Sequence, residues 1–151
     1  MTVLLSSGWE NSGGSDATDA GAWTSAEVGV SVVSNIKHSG LYASRYQVAG
    51  ADYIYKDLGS GYSTLYCRGY FYFASLPTSG TYVYLIQFYD SAWGGPVQGI
   101  IRNNGGQMQW GISNPTSSNT YVNATISTGT QYCIEIRRTV GAGNGITEIW
   151  V

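Results

Sequence analysis

The sequence predicts an all-β fold, an antiparallel two-sheet jelly-roll sandwich, from three observations. Residues 62–73 and 82–89 are rich in Tyr, Phe, Val, Ile and Leu without helical periodicity, which is typical of half-buried strands. The chain contains 21 glycines and 3 prolines, a composition that suits many tight turns. Turn-forming residues also recur about every 8 to 12 positions, which is the spacing of sandwich and jelly-roll proteins.

The predicted elements follow each other in one domain that covers residues 1–151. A polar loop rich in Gly and Ser occupies residues 6–22 and precedes the strands. The strongest turn is 103–106, Asn-Asn-Gly-Gly, because Asn and Gly accept the left-handed conformations of tight hairpins. The predicted strands are 28–34, 41–48, 53–58, 62–73, 82–89, 97–102, 107–113, 120–126, 131–140 and 146–151.

The charge and composition of the chain exclude some classes of partner. Charged residues make up 11% of the sequence and the formal net charge is −2, so nothing attracts nucleic acid or an anionic membrane surface. No run approaches the length of a transmembrane helix, and we expect no membrane insertion. The first ten residues lack the features of a secretory signal, yet the high content of Tyr, Ser, Thr, Asn and Gly is typical of extracellular proteins. We therefore expect an extracellular or virion-surface location.

Strand 62–73 places two different sets of side chains on its opposite faces. The set expected in the core is Leu65, Cys67, Gly69, Phe71 and Phe73. The set on the other face is Tyr66, Arg68, Tyr70 and Tyr72. Such a ladder can bind glycan, since sugar C–H faces stack on aromatic rings while phenols and guanidinium groups bond to hydroxyls. Alternatively, the tyrosines only stabilise cross-strand pairs and keep their hydroxyl groups in water.

Trp93 is the fifth candidate ligand-binding residue. It lies in the loop 91–96, next to two glycines, where an exposed indole suits contact with a glycan or a protein. Alternatively, it anchors the loop by packing on a sheet edge.

The two cysteines, Cys67 and Cys133, are predicted to be free thiols. In strand 131–140 the core set is Tyr132, Ile134 and Ile136, so Cys133 points away from the core while Cys67 points into it. A disulfide needs converging side chains on nearby backbones, and opposite faces do not provide them.

Several motifs, which together span nearly the whole chain, resemble a known superfamily. They are Gly-Trp-Glu-Asn-Ser-Gly at 8–13, Trp23, Lys-His-Ser-Gly-Leu-Tyr-Ala at 37–43, the aromatic strand 66–73 and Tyr-Cys-Ile-Glu-Ile at 132–136. In these motifs the chain resembles the concanavalin-A-like lectin/glucanase superfamily, in its laminin-G-like branch. The resemblance implies a jelly roll of two curved antiparallel sheets with a concave face that often binds glycans.

The chain departs from that superfamily at its carboxyl end. Members usually continue for several strands beyond the Gly-Asn-Gly turn at 143–145, whereas this chain stops at Val151. A sheet edge without its usual neighbour has free N–H and C=O groups, which favour pairing with another chain. Self-association through sheet edges, with strand 146–151 as the junction, is therefore one hypothesis. A shorter variant of the fold and a truncated chain are the alternatives.

The sequence predicts no catalytic residues. Glucanases of the superfamily place their carboxylates in a Glu-x-Asp-x-x-Glu pattern on one strand, and this pattern does not occur here. Glu135 has Arg137 as its neighbour on the same strand face, which indicates an exposed ion pair instead of a glycosidase acid. The single histidine, His38, is expected in a turn.

No metal or cofactor is predicted either. Glu10, Asn11, Asp16 and Asp19 lie in one loop and offer oxygen ligands of the kind that calcium takes. The resemblance implies a structural calcium bound by an early acidic residue and a late Asp. Glu10 matches the early position, but the late Asp has no counterpart.

These inferences predict a non-catalytic module that binds a glycan or polysaccharide surface through Tyr66, Arg68, Tyr70, Tyr72 and Trp93. One alternative is a structural subunit that assembles into a filament or particle through its sheet edges. A glycanase or polysaccharide lyase is the weakest hypothesis. The sequence shows neither the paired carboxylates of a glycanase nor a recognisable group of Tyr, His, Arg and Gln residues that would line the cleft of a lyase.

Overall fold

The structure, a computed structural model, describes residues 25–26, 30–35, 43–46, 54–59, 61–90, 95–114, 119–140 and 145–151. All regular elements within these ranges are β-strands, and none of the ranges holds a helix that is long and apolar enough to cross a membrane. The chain divides into two compact units, Met1–Ser60 and Gly61–Val151. The single domain across 1–151 stays a prediction, and the loop 6–22 lies outside the described residues.

Two strand pairs form the described part of the first unit. They are built from β1 (Ser25–Ala26), β2 (Val30–Val33), β3 (Ala43–Tyr46) and β4 (Ile54–Tyr55). Strand β1 pairs antiparallel with β4, and β2 pairs antiparallel with β3. Strands β2, β3 and β4 lie within the predicted segments 28–34, 41–48 and 53–58, whereas β1 lies outside every predicted strand.

The second unit contains two antiparallel sheets packed against each other. Its strands are β5 (Thr64–Tyr72), β6 (Tyr82–Phe88), β7 (Val97–Asn104), β8 (Gln107–Ser113), β9 (Thr120–Asn123), β10 (Gln131–Thr139) and β11 (Ile146–Trp150). One sheet has the order β11-β10-β5 and the other has the order β6-β7-β8-β9. The predicted all-β, antiparallel two-sheet sandwich is thus confirmed. The jelly-roll order of strands would also involve the first unit and stays a prediction.

The core of the second unit lies between its two sheets. Ile101, from the four-stranded sheet, and Ile134 and Ile136, from the three-stranded sheet, have no exposed surface. Burial of each such side chain is worth about 1.5–3 kcal/mol. Gly99 of β7 lets the sheets approach closely, because a β-carbon at this position would overlap Cδ1 of Ile136.

Strand β6 contains a β-bulge that changes which of its residues face the core. The pairing with β7 shifts register between Tyr84 and Ile86, so that Leu85 is the extra residue. As a result both Leu85 and Ile86 pack in the core, although they are adjacent in sequence.

The predicted turn at 103–106 is a two-residue hairpin loop between β7 and β8. Asn104 pairs with Gln107, which leaves Gly105 and Gly106 as the loop. Their φ angles are 64° and 99°, the positive values that a type I′ turn requires at both positions. The side chain of Asn103 supports the loop, since its Oδ1 accepts a hydrogen bond of 2.7 Å from the backbone N–H of Gly106.

Strand β9 ends at Asn123, three residues before its predicted end. The backbone N–H of Ala124 still bonds to the carbonyl of Met108, at 3.0 Å, and the chain then leaves the ladder. Ile126, which the alternation had placed in the strand, fills the core instead and is 6% exposed. Burial of this side chain therefore takes precedence over continued strand pairing.

Candidate functional site

Four of the five predicted ligand-binding residues lie together on the outer surface of the three-stranded sheet. The burial of β5 alternates along the strand as predicted, with Tyr66, Arg68, Tyr70 and Tyr72 exposed. Tyr66 and Tyr70 each keep 50% of their surface exposed. Trp93, the fifth candidate, lies outside the described residues.

The same surface carries a row of side chains from β10 and β11. Arg68 lies opposite Glu135, and Glu135 lies opposite Trp150. We call this surface the ion-pair face; it consists of Tyr66, Arg68, Tyr70, Tyr72, Cys133, Glu135, Arg137, Glu148 and Trp150.

Ion pairs neutralise both arginines of the ion-pair face. Nε of Arg68 donates to Oε2 of Glu135 at 2.7 Å, and Nη2 of Arg68 contacts the same oxygen. Nη1 of Arg137 lies 3.1 Å from Oε2 of Glu148, an ionic contact without hydrogen-bond alignment. The predicted pairing of Glu135 with Arg137 is therefore wrong, because the directly opposite residue on β5 is closer in an antiparallel sheet than the next residue on the same strand face.

A shallow concavity of about 300 Å³ lies on the ion-pair face. Arg68, Cys133, Glu135, Trp150 and Val151 line it. Its charged groups bond to each other, and both glutamates of the face are engaged by arginines. Neither carboxylate therefore supports the glycanase hypothesis.

The two cysteines lie on opposite faces of the three-stranded sheet, as predicted. Cys67 pairs with Ile136 and packs against the core, whereas Cys133 pairs with Tyr70 and is exposed. Both are free thiols. Burial raises the pKa of the Cys67 thiol above its ordinary value.

The outer surface of the four-stranded sheet holds a second set of polar and aromatic residues, which the sequence interpretation missed. Tyr82, Arg102, Gln109 and Asn123 lie directly opposite one another on the consecutive strands β6, β7, β8 and β9. We call this surface the amide face; it consists of Tyr82, Tyr84, Gln87, Gln98, Ile100, Arg102, Gln109, Gly111, Tyr121 and Asn123.

A chain of hydrogen bonds connects three strands across the amide face. Nε of Arg102 donates to Oε1 of Gln109 at 2.6 Å, and Nε2 of Gln109 donates to Oδ1 of Asn123 at 2.6 Å. Gln109 is only 9% exposed, so its orientation is fixed by both bonds. Asn123 at the end of the chain is exposed.

The aromatic ring of Tyr121 lies against the guanidinium group of Arg102. Cζ of Arg102 is 3.2 Å from the ring centroid of Tyr121, a cation–π contact. The ring reaches Arg102 by crossing over β8 at Gly111, where a β-carbon would overlap it. Gly111 therefore makes the stacking of Tyr121 on Arg102 geometrically possible.

Further tyrosines and glutamines extend the amide face along β6 and β7. The rings of Tyr82 and Tyr84 meet edge to face with centroids 5.1 Å apart, and both side chains are exposed. Nε2 of Gln98 donates to Oε1 of Gln87 at 2.7 Å. The hydrogen bond that Tyr84 makes with Tyr82, together with partial burial, raises the pKa of Tyr84 to about 12. Tyr84 is therefore a neutral phenol at all ordinary pH values.

The charge of the amide face is carried by a single residue. Strands β6 to β9 contain Arg102 as their only charged residue. Among the described residues, no three His, Cys, Asp or Glu side chains are grouped to hold a metal ion. The loop residues Glu10, Asn11, Asp16 and Asp19, whose oxygens are of the kind that calcium takes, and also His38, lie outside the described residues.

The amide face could have been found from the sequence by counting outward from the hairpin. A two-residue loop at 105–106 places Asn104 opposite Gln107, and two residues further on it places Arg102 opposite Gln109. The adjacent Ile100 and Ile101 hid this pattern, because an apolar pair interrupts the alternation that identifies an outer face.

No family model matches this chain, and no curated protein or solved structure matches it either. The resemblance to the concanavalin-A-like superfamily and its laminin-G-like branch thus stays a prediction.

Proposed function

We propose that this chain is a non-catalytic module that binds glycans, and that the amide face is its binding surface. The observation that carries the proposal is the hydrogen-bonded chain Arg102–Gln109–Asn123, flanked by the rings of Tyr82 and Tyr121. Sugars offer hydroxyl groups to amide and guanidinium groups and C–H faces to aromatic rings, and this surface supplies both kinds of partner.

Preorganisation favours the amide face over the ion-pair face. Gln109 is held by two hydrogen bonds and Arg102 by a hydrogen bond and a ring, so little side-chain entropy is lost when a ligand binds. On the ion-pair face the guanidinium group of Arg68 is already taken up by Glu135. A ligand there would compete with an existing salt bridge.

An extracellular or virion-surface location agrees with this proposal. The chain is rich in the polar and aromatic residues that such binding modules expose, and its net charge of −2 gives no general attraction to nucleic acid.

The experiment that tests the proposal compares variants on the two faces. Binding to a broad panel of soluble and insoluble polysaccharides is measured for the parent protein and for Tyr82→Ala, Asn123→Ala and Tyr70→Ala. We expect Tyr82→Ala to weaken binding by about 2- to 10-fold, the value of one aromatic contact, while Tyr70→Ala binds like the parent. Thermal unfolding checks that all variants are folded.

Two outcomes would contradict the proposal in different ways. If Tyr70→Ala is the only variant that loses binding, the binding site lies on the ion-pair face. This result would support the ligand-binding residues that were predicted from the sequence. If the parent protein binds no polysaccharide of the panel, the proposed glycan-binding function is contradicted for both faces.

Self-association is a second candidate function, and the pairing of β11 favours it. Among the described strands β11 pairs only with β10, and it exposes 50% of Ile146 and 46% of Trp150. An edge strand with exposed apolar residues can add a strand from another copy. Sedimentation velocity over a range of concentrations tests this; a monodisperse monomer throughout would argue against assembly through β11.

A further inference from the structure

We propose that the ligand of the amide face is an acidic glycan and that Arg102 binds its carboxylate group. This inference rests on the proposed glycan-binding function and adds the chemical class of the ligand. It follows from the charge, the hydrogen bonds and the surroundings of one guanidinium group.

Arg102 differs from Arg68 and Arg137 in the side chains that bind its guanidinium group. Arg68 and Arg137 each form an ion pair with a glutamate. Arg102 is held instead by the neutral amide of Gln109 and the ring of Tyr121. Its positive charge is therefore not neutralised by the strands that surround it, which contain no acidic residue.

The terminal nitrogens of Arg102, whose side chain is half-buried, are the donors that would meet a ligand. Nε is used by Gln109, and one face of the guanidinium group lies on Tyr121. The two Nη atoms have no partner among the described residues. Their parallel N–H groups match the two oxygens of a carboxylate, which arginine binds bidentately and more strongly than it binds a neutral hydroxyl.

The neighbours of Arg102 suit the remainder of a sugar chain. Tyr82 lies opposite Arg102 on one side, and Gln109 and Asn123 follow on the other. This row crosses four strands and so extends over about 14 Å, enough for a short oligosaccharide. An acidic sugar over Arg102 would thus have two exposed side chains, Tyr82 and Asn123, on the two sides of its carboxylate to bind hydroxyl groups.

Nucleic acid is a poor alternative source of the anion. A polynucleotide is bound by many cations along its backbone, whereas this face has one and the whole chain has a net charge of −2. A single guanidinium group among amides and phenols fits a polymer in which hydroxyl groups outnumber charges.

The test uses pairs of polysaccharides that differ only in their carboxylate groups. Polygalacturonate, alginate and hyaluronan are each compared with their carboxyl-reduced, neutral forms, for the parent protein and for Arg102→Gln, Arg102→Lys and Arg68→Gln. We expect the parent to bind at least one acidic form about 10-fold more tightly than its neutral form at low salt. Arg102→Gln removes this preference, Arg102→Lys keeps part of it, and Arg68→Gln leaves it unchanged.

The outcomes separate this inference from the proposed function. Equal affinity of the parent for acidic and neutral forms, with binding still lost on Tyr82→Ala, would overturn the acidic ligand and leave glycan binding in place. A preference that persists in a folded Arg102→Gln variant would overturn the role of Arg102. If Arg68→Gln loses the preference for the acidic form to the same extent, the carboxylate would lie on the ion-pair face, and the role of Arg102 would again be overturned.

Discussion

Gly111 lies directly beneath the ring of Tyr121, and the absence of a side chain there lets the ring cross β8 and reach Arg102. Two residues on adjacent strands thereby fix the position of a guanidinium group on a third strand. The chemistry of the amide face depends on this close approach as much as on the groups that would contact a ligand.

Replacement of Gly111 by alanine should weaken ligand binding without removing any polar group. The added β-carbon would overlap the Tyr121 ring, which must move away from Arg102. Loss of the cation–π contact, worth about 0.5–1 kcal/mol, predicts a decrease of about 2- to 5-fold in affinity for the best polysaccharide. Gly61→Ala, at a glycine where an added β-carbon meets nothing within 4 Å, is the control. An unchanged affinity in Gly111→Ala would show that the stacked ring is not needed.

Gly99→Ala should destabilise the fold, and a second substitution should compensate for it. The new methyl group would overlap Cδ1 of Ile136, and overpacking of a core typically costs about 1–3 kcal/mol. Ile136→Val removes that carbon atom and alone costs about 0.5–1.5 kcal/mol. Denaturant unfolding should show that the double variant is more stable than the sum of the single effects. Strict additivity would mean that these residues do not meet.

The two cysteines should differ in their reactivity toward a thiol reagent. Cys133 is exposed, whereas burial raises the pKa of Cys67 and keeps it as the less reactive thiol. With a chromogenic disulfide at neutral pH, we expect one thiol to react rapidly in the folded protein and the second only on unfolding. Cys133→Ser should abolish the rapid reaction, and Cys67→Ser should abolish the slow one. The reverse assignment would contradict the faces of β5 and β10.

Tyr84 should make the stability of the protein sensitive to alkaline pH. Its pKa is raised to about 12 from an ordinary value of 10.0, so its neutral form is favoured by folding. A raised pKa contributes stability that is fully present below pH 10 and is lost as the pH rises toward about 12. Tyr84→Phe lacks this contribution. Urea unfolding between pH 9 and 12 should therefore show a smaller loss of stability for Tyr84→Phe than for Tyr66→Phe.

The sheets could be predicted from the sequence because alternation and turn residues are local signals. The inward and outward residues of β5 and β10, the free cysteines and the hairpin at 105–106 all follow from period-two patterns and from glycines. These features require no knowledge of which strands are neighbours.

The binding surface was harder to predict because it is assembled across strands. The ion pair of Arg68 with Glu135 depends on the register between β5 and β10, and the stacking of Tyr121 on Arg102 depends on a ring that passes over an intervening strand. No recognisable spacing of these residues in the sequence predicts either contact. The bulge at Leu85 likewise interrupts the alternation that identifies faces.

The turn at Gly105 and Gly106 determines which side chains of β7 and β8 lie on the amide face. Because successive residues of a strand point to opposite faces, a slip of one arm by one position past this two-residue loop would invert that arm relative to the other. If that arm were β7, Arg102 would then face the other sheet, and the core residue Ile101 would face outward. Two residues without side chains, at the far end of the hairpin, thus act as the spacer on which the chemistry of the whole surface depends.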